Sequence, residues 1–179
     1  MHAYFISIGS MGDTLPFVTI AQQMKDRGHQ VTMVGNGYYQ EFIEKLGLQF
    51  EPTITKQQYI DFVERQKKQS DVRSLRDMGE MLISQIEPIY RLMEERYVPG
   101  QTVACSQAYA MGARVVQERL GLPLATVHLQ PMWFRSVHDM PPINNWPMFL
   151  KRGIQWLIDF FTDRRVGRAI MDFRSQFGL

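Results

Sequence analysis

Apolar and polar positions along this chain fall into blocks whose period changes repeatedly. Residues 3–8 form an apolar run closed by Gly9. So short a run, without alternation, reads as a strand buried on both faces. From Thr14, the positions Leu15, Val18, Ala21 and Met24 recur at helical spacing. Pro16 falls in the expected first turn, and Gly28 marks the end. Residues 30–34 predict a second strand. Asn36 is placed to cap a helix carrying Tyr39, Phe42, Ile43 and Leu46, closed by Gly47, and residues 48–51 predict a third strand. Residues 52–71 are polar and predict a loop holding a weak helix over 57–67. Residues 74–97 predict one long helix, with Leu75, Met78, Leu82, Ile86, Ile89 and Met93 stepping by three and four along a core-facing stripe. Pro88 should kink or break it. A fourth strand over 102–105, a helix over 107–120 and a fifth strand over 124–128 follow. Residues 129–149 show little periodicity, and two helices over 150–163 and 166–177 close the chain. Alternating strands and helices with short loops predict an α/β fold, a Rossmann-like parallel sheet flanked by helices.

Composition narrows the picture. A chain of 179 residues, 45% of them hydrophobic, buries roughly 70% of its unfolded surface and needs no staple, so one domain over 1–179 is expected. Disorder is excluded. The net charge of +2 carries no nucleic-acid footprint. The single cysteine, Cys105, forms no intrachain disulfide and supplies no Cys-rich zinc site, which points to a reducing compartment. The N-terminal apolar run lacks a basic lead-in, and no run reaches the roughly 18 residues of a spanning helix. A cytoplasmic location is therefore expected. From Trp146 to Leu179, six basic residues stand against three acidic ones among large apolar side chains. Such a segment can lie on the inner face of a membrane, or pack on its own or a neighbouring domain.

Ligands of an open parallel sheet bind beyond the carboxyl ends of its strands. Gly9, Ser10, Met11, Gly12 and Asp13 lie there. A dinucleotide site does not fit them. The glycine spacing differs from G-x-G-x-x-G, no acid ends the second strand, and Asp13 puts negative charge where a pyrophosphate would sit. Nor does Gly-Lys-Ser/Thr follow, so this is no P-loop. Two readings of Asp13 stay open. It or Thr14 can cap the helix, or its carboxylate can face the cleft as a general base, kept ionised by the helix N-terminus. His128 ends the fifth strand on the same edge and can line the cleft or belong to the core. His29 turns at the opposite end, and Cys105, at the end of the fourth strand, reads as a small buried hydrophobe. Within the aperiodic stretch, Met132, Trp133, Phe134, His138 and Met140 can wall a ligand site, or cover the sheet edge with Trp146.

The run G-S-x-G-D-x-x-P from Gly9 to Pro16, with Arg27-Gly28-His29-x-Val31 a dozen residues on, resembles the N-terminal half of GT-B glycosyltransferases. The similar group is family 28 and its relatives: sterol glucosyltransferases, antibiotic glycosyltransferases and rhamnolipid-forming rhamnosyltransferases. The likeness covers essentially the whole chain, including the regions around Ile86 to Tyr90, Ala110 to Arg114, and Pro141-Pro142. It implies an inverting transfer of a sugar from a nucleoside diphosphate to a hydroxyl of a lipid or other hydrophobic acceptor. It implies Asp13 as the base, with Ser10, Met11 and Gly12 bordering donor phosphates and acceptor. It implies no metal and no cofactor besides the nucleotide-sugar co-substrate. Many plant relatives place a His in this loop, backed by an Asp; this loop has none. The implied partner is a C-terminal donor-binding domain or subunit, toward which the segment 150–179 would lead, and the chain alone would be inactive. A non-catalytic recruiting subunit of a split transferase is the alternative reading, ahead of an oxidoreductase domain.

Overall fold

The computed structural model describes residues 1–68, 71–130, 136–138 and 143–179. Five parallel strands, β1 (His2–Ser7), β2 (Gln30–Asn36), β3 (Gln49–Ile54), β4 (Thr102–Gln107) and β5 (Leu124–Val127), form one sheet in the order β3-β2-β1-β4-β5. The Rossmann-like sheet expected from the pattern is present. The strand order reverses beside β1, which pairs with β2 on one side and β4 on the other. That places the loop after β1 at the switch point where such sheets open a crevice.

The period-two alternation of β1 divides the core between the two faces. Ala3 and Phe5 pack with Phe17, Val18, Ala21 and Ile43, from α1 (Met11–Asp26) and α2 (Gln40–Lys45). Tyr4 and Ile6 pack with Ile89, Tyr90, Met93, Ala113 and Val116, from α5 (Ile86–Arg96) and α6 (Met111–Leu120). Burial on both faces explains why β1 reads as an unbroken apolar run.

Several boundaries differ from the pattern. α1 begins at Met11, and its N-cap is Ser10 rather than Asp13 or Thr14, so Pro16 lies inside the helix, past its first turn. Asn36 caps nothing with its side chain; it is the last residue of β2. β3 runs on through Pro52 to Ile54, and its position at the sheet edge accommodates a residue that cannot donate to a ladder. The weak helix is α3 (Lys56–Lys67), fixed by Thr55, whose hydroxyl accepts from the Gln58 N–H. The long helix divides into α4 (Asp71–Ser84) and α5, with the break at Gln85. Pro88 thus falls in the first turn of a new helix, where its missing N–H costs least. β4 reaches Gln107, so Cys105 lies inside the strand and α6 starts four residues after the strand's end. The last two helices are α7 (Met148–Thr162) and α8 (Arg168–Ser175), joined by a wide π turn (Asp163–Gly167). α8 turns back on its own domain. Phe173 and Phe177 pack against the Tyr90 ring, and the Arg119 guanidinium lies 4.6 Å from the centre of the Phe177 ring.

Candidate functional site

The carboxyl ends of β1, β2 and β4 converge on the loop that carries Asp13. β1 ends at Ser7, and the chain turns at Gly9, whose φ of +124° is open to glycine and strained for other residues. The turn brings Asp13, in the first turn of α1, back toward Ser10. Asp13 Oδ2 accepts from the Ser10 N–H and the Ser10 hydroxyl, both at 2.8 Å. A Cβ on residue 9 would sit 2.5 Å from that same oxygen. Asp13 Oδ1 accepts from Gln107 Nε2 at 3.1 Å, while Gln107 Oε1 accepts the Ile8 N–H at 2.7 Å. From the other side, Asn36 Nδ2 donates to the Gly9 carbonyl at 2.9 Å. Below the loop, the Ser7 hydroxyl donates to Thr14 Oγ1 at 3.2 Å, and Thr14 Oγ1 donates to the Ser10 carbonyl at 3.1 Å. The loop is therefore tied to β2, β4 and α1 by side chains.

The two readings of Asp13 turn out to be compatible. It helps cap α1 by reaching back to the N-cap N–H. A carboxylate offers about four acceptor positions, and among the described residues three bonds leave one, on a half-buried side chain. The electrostatics of two tyrosines, the buried Tyr39 and the half-buried Tyr109, register that charge. Burial pushes the Tyr39 hydroxyl well above the ordinary phenol range, and its hydrogen bond with Tyr59 and the negative charge of Asp13 add to the shift. Burial does the same to Tyr109, again with a contribution from Asp13. Both hydroxyls therefore stay neutral around Asp13. Tyr39 and Tyr59 meet hydroxyl to hydroxyl at 3.1 Å, and the exposed Tyr38 ring lies 5.2 Å and 5.4 Å from their ring centres.

The other candidate residues divide. Ser10 and Gly12 are exposed and Met11 half-buried, all at the N-terminus of α1. His128 is exposed, one residue past Val127, which pairs with Gln107, so it shares this edge of the sheet. His138 is exposed, and its backbone N–H donates to the Ser136 hydroxyl. Met132, Trp133, Phe134 and Met140 lie outside the described residues. Gln107, Asn36, Tyr39 and Tyr109 were not legible as site residues. The sequence pattern puts Gln107 in a helix and Asn36 at a cap, whereas both end strands. The available signal was a polar residue ending a strand on the edge of the switch point. A groove of about 550 Å³ lies at the opposite end of the sheet, where Thr32 bonds both His2 and Gln49 and Arg96 pairs with Glu51. Among the described residues there is no group of three or more His, Cys, Asp or Glu placed to hold a metal, and no helix long and apolar enough to cross a membrane.

Residues 4–138 match the glycosyltransferase family 28 N-terminal domain. A sterol 3-beta-glucosyltransferase of Arabidopsis thaliana, UGT80A2, is 36% identical over 52 residues, which are 29% of this chain and 8% of that protein. Among solved structures, the glycosyltransferase SnogD from Streptomyces nogalater aligns with a TM-score of 0.60 at 14% identity, over 100% of this chain and 42% of that one. The glycosyltransferase SsfS6 of Streptomyces sp. SF2575, complexed with thymidine diphosphate, aligns with a TM-score of 0.51 at 18% identity, over 70% of this chain and 38% of its own. At such identities the structural likeness shows a shared fold.

Proposed function

This chain belongs to the glycosyltransferase family 28 N-terminal domain, and from that premise we propose that it is the acceptor-binding half of an inverting GT-B glycosyltransferase, with Asp13 as the general base. The observation that carries the reading is the Asp13 carboxylate, held at the switch point of the sheet with one acceptor position left over. The reaction asks for that arrangement. Asp13 takes the proton of an acceptor hydroxyl as the oxygen bonds to the anomeric carbon of the nucleotide-activated sugar. The bond from that carbon to the diphosphate oxygen breaks, and its electron pair leaves with the nucleoside diphosphate. The base needs to be in place as the carbon–oxygen bond forms, more than it needs a high pKa. Ser10, Met11 and Gly12 border donor and acceptor. His128 borders the cleft, and Met132, Trp133, Phe134, His138 and Met140 wall the acceptor. The neutral rings of Tyr39 and Tyr109 add apolar surface around Asp13.

The donor's nucleotide is held on the facing wall, by a C-terminal domain or a separate subunit. The span of this chain, 42% of SnogD, supports a two-domain enzyme. The sterol glucosyltransferase likeness favours a hydrophobic, hydroxylated acceptor. Replacing Asp13→Asn in the intact enzyme keeps the acceptor for the Ser10 N–H while removing the base. Turnover should fall by two or more orders of magnitude, on the scale of general-base catalysis, while the melting temperature falls only modestly, by the loss of the Gln107 bond. Turnover like that of the parent enzyme would refute the assignment.

α7 supports a peripheral contact with an anionic membrane. Phe149, Leu150, Trp156, Leu157 and Phe160 are exposed at helical spacing along one face, and Arg152, Arg164 and Arg165 are exposed beside them. Aromatic and aliphatic bulk between arginines suits the boundary between acyl chains and anionic headgroups.

A further inference from the structure

We infer that Gln107 is a positioning residue for Asp13, fixing which way the carboxylate presents its remaining acceptor position. The inference rests on the reading of Asp13 as base. Gln107 is the last residue of β4, and it is only 2% exposed. Its amide can be assigned without ambiguity. The Ile8 N–H can only donate, so the amide oxygen faces it at 2.7 Å, and the amide nitrogen must face the Asp13 carboxylate. One side chain thereby links the end of β1, the end of β4 and the first turn of α1. Ser10 fixes Oδ2 and Gln107 fixes Oδ1, so the carboxylate cannot turn about its own axis without breaking a bond at each end.

The residue type matters as well as the contact. A lysine or arginine at this place would pair with Asp13 and make it a poorer proton acceptor. A neutral amide holds the oxygen and leaves the negative charge in place. Positioning of this kind affects the rate steeply, because a displacement of about 1 Å at a reacting group costs up to about a hundredfold. A purely structural role, anchoring the β1–α1 loop through Ile8, needs the amide oxygen alone. The two roles therefore separate by which half of the amide is removed.

The test uses Gln107→Glu, Gln107→Met, Asp13→Asn and the double variant Gln107→Glu/Asp13→Asn in the intact enzyme, with kcat, acceptor KM and melting temperature measured for each. Gln107→Glu keeps an acceptor for the Ile8 N–H, loses the donor to Asp13 and sets a second carboxylate against it; Gln107→Met loses both amide bonds and adds no charge. Gln107→Glu should lower kcat roughly ten- to a hundredfold, with acceptor KM changed less than about threefold. In the double variant the Asp13→Asn amide can donate to the Gln107→Glu carboxylate. Its melting temperature should therefore recover while its kcat stays within about twofold of Asp13→Asn alone, since residues acting as a unit are not additive. Parent-like kcat in Gln107→Glu beside a large loss in Gln107→Met would reduce Gln107 to a loop anchor and overturn the positioning role alone. A full multiplicative loss in the double variant would overturn it too. Parent-like turnover in Asp13→Asn would overturn the base reading and this inference with it.

Discussion

A methyl group added at residue 9 would meet Asp13 Oδ2 at 2.5 Å, on a backbone already at φ +124°. The carboxylate cannot simply swing away, because Ser10 and Gln107 hold both of its oxygens. Gly9→Ala therefore combines backbone strain with displacement of the candidate base. It should cost about 1–3 kcal/mol of stability, the scale of a residue held in a sparsely populated region, as read from the urea midpoint. Turnover of the intact enzyme should fall with it. A variant as stable as the parent would mean that the loop relaxes around residue 9. At this scale the sequence showed the glycine and the carboxylate, since both stand in one short motif. It did not show their partners. Asn36 and Gln107 come from β2 and β4, which are seen to flank β1 only once the sheet order is known.

At the scale of elements, the packing of α6 on α5 depends on a missing side chain. A Cβ on Gly112 would lie 2.2 Å from the Ile86 carbonyl oxygen and 2.7 Å from the Tyr90 nitrogen, both of them backbone. Gly112→Ala must push the start of α6 off α5, and it should destabilise by about 1–3 kcal/mol, as overpacking does. An unchanged m-value in urea, with a lowered midpoint, would show that cooperative unfolding persists. The pair α4 and α5 shows why the hydrophobic pattern reads one helix where the structure breaks at Gln85. The apolar stripe of 74–97 continues in phase across the break, so periodicity sees one helix. Only Pro88 signals two, and its effect falls on the turn before it.

For the whole molecule, α7 contrasts with α8. α8 and the residues after it pack the half-buried Phe173 and Phe177 against Tyr90, and Arg174 pairs with Glu118 at 2.5 Å. α7 leaves Phe149 71% and Trp156 63% exposed. If that face meets an anionic bilayer, the protein should float with vesicles of phosphatidylglycerol and phosphatidylcholine. It should not float with phosphatidylcholine alone, and raised salt should weaken the binding. Paired Phe149→Ser and Trp156→Ser substitutions should abolish flotation. Equal flotation of parent and variant would place the contact elsewhere, and no flotation of the parent would remove the membrane reading.

What the sequence by itself determined was the succession of strands and helices, the parallel sheet they imply, and the G-S-x-G-D loop with its carboxylate. All of these are local. Burial on both faces leaves an unbroken apolar run, an amphipathic helix leaves a period near four, and a tight turn needs its glycine within a few residues of the carboxylate. The tertiary structure decided which strands lie side by side, and through that which polar side chains reach Asp13. Gln107 is far from Asp13 along the chain and 3.1 Å from it in space. Tyr39 and Tyr109 come from opposite sides of β1 and share its charge. Sheet order is a long-range property, fixed by which faces bury together. The environment of the carboxylate was therefore set by the fold, and its presence by the motif.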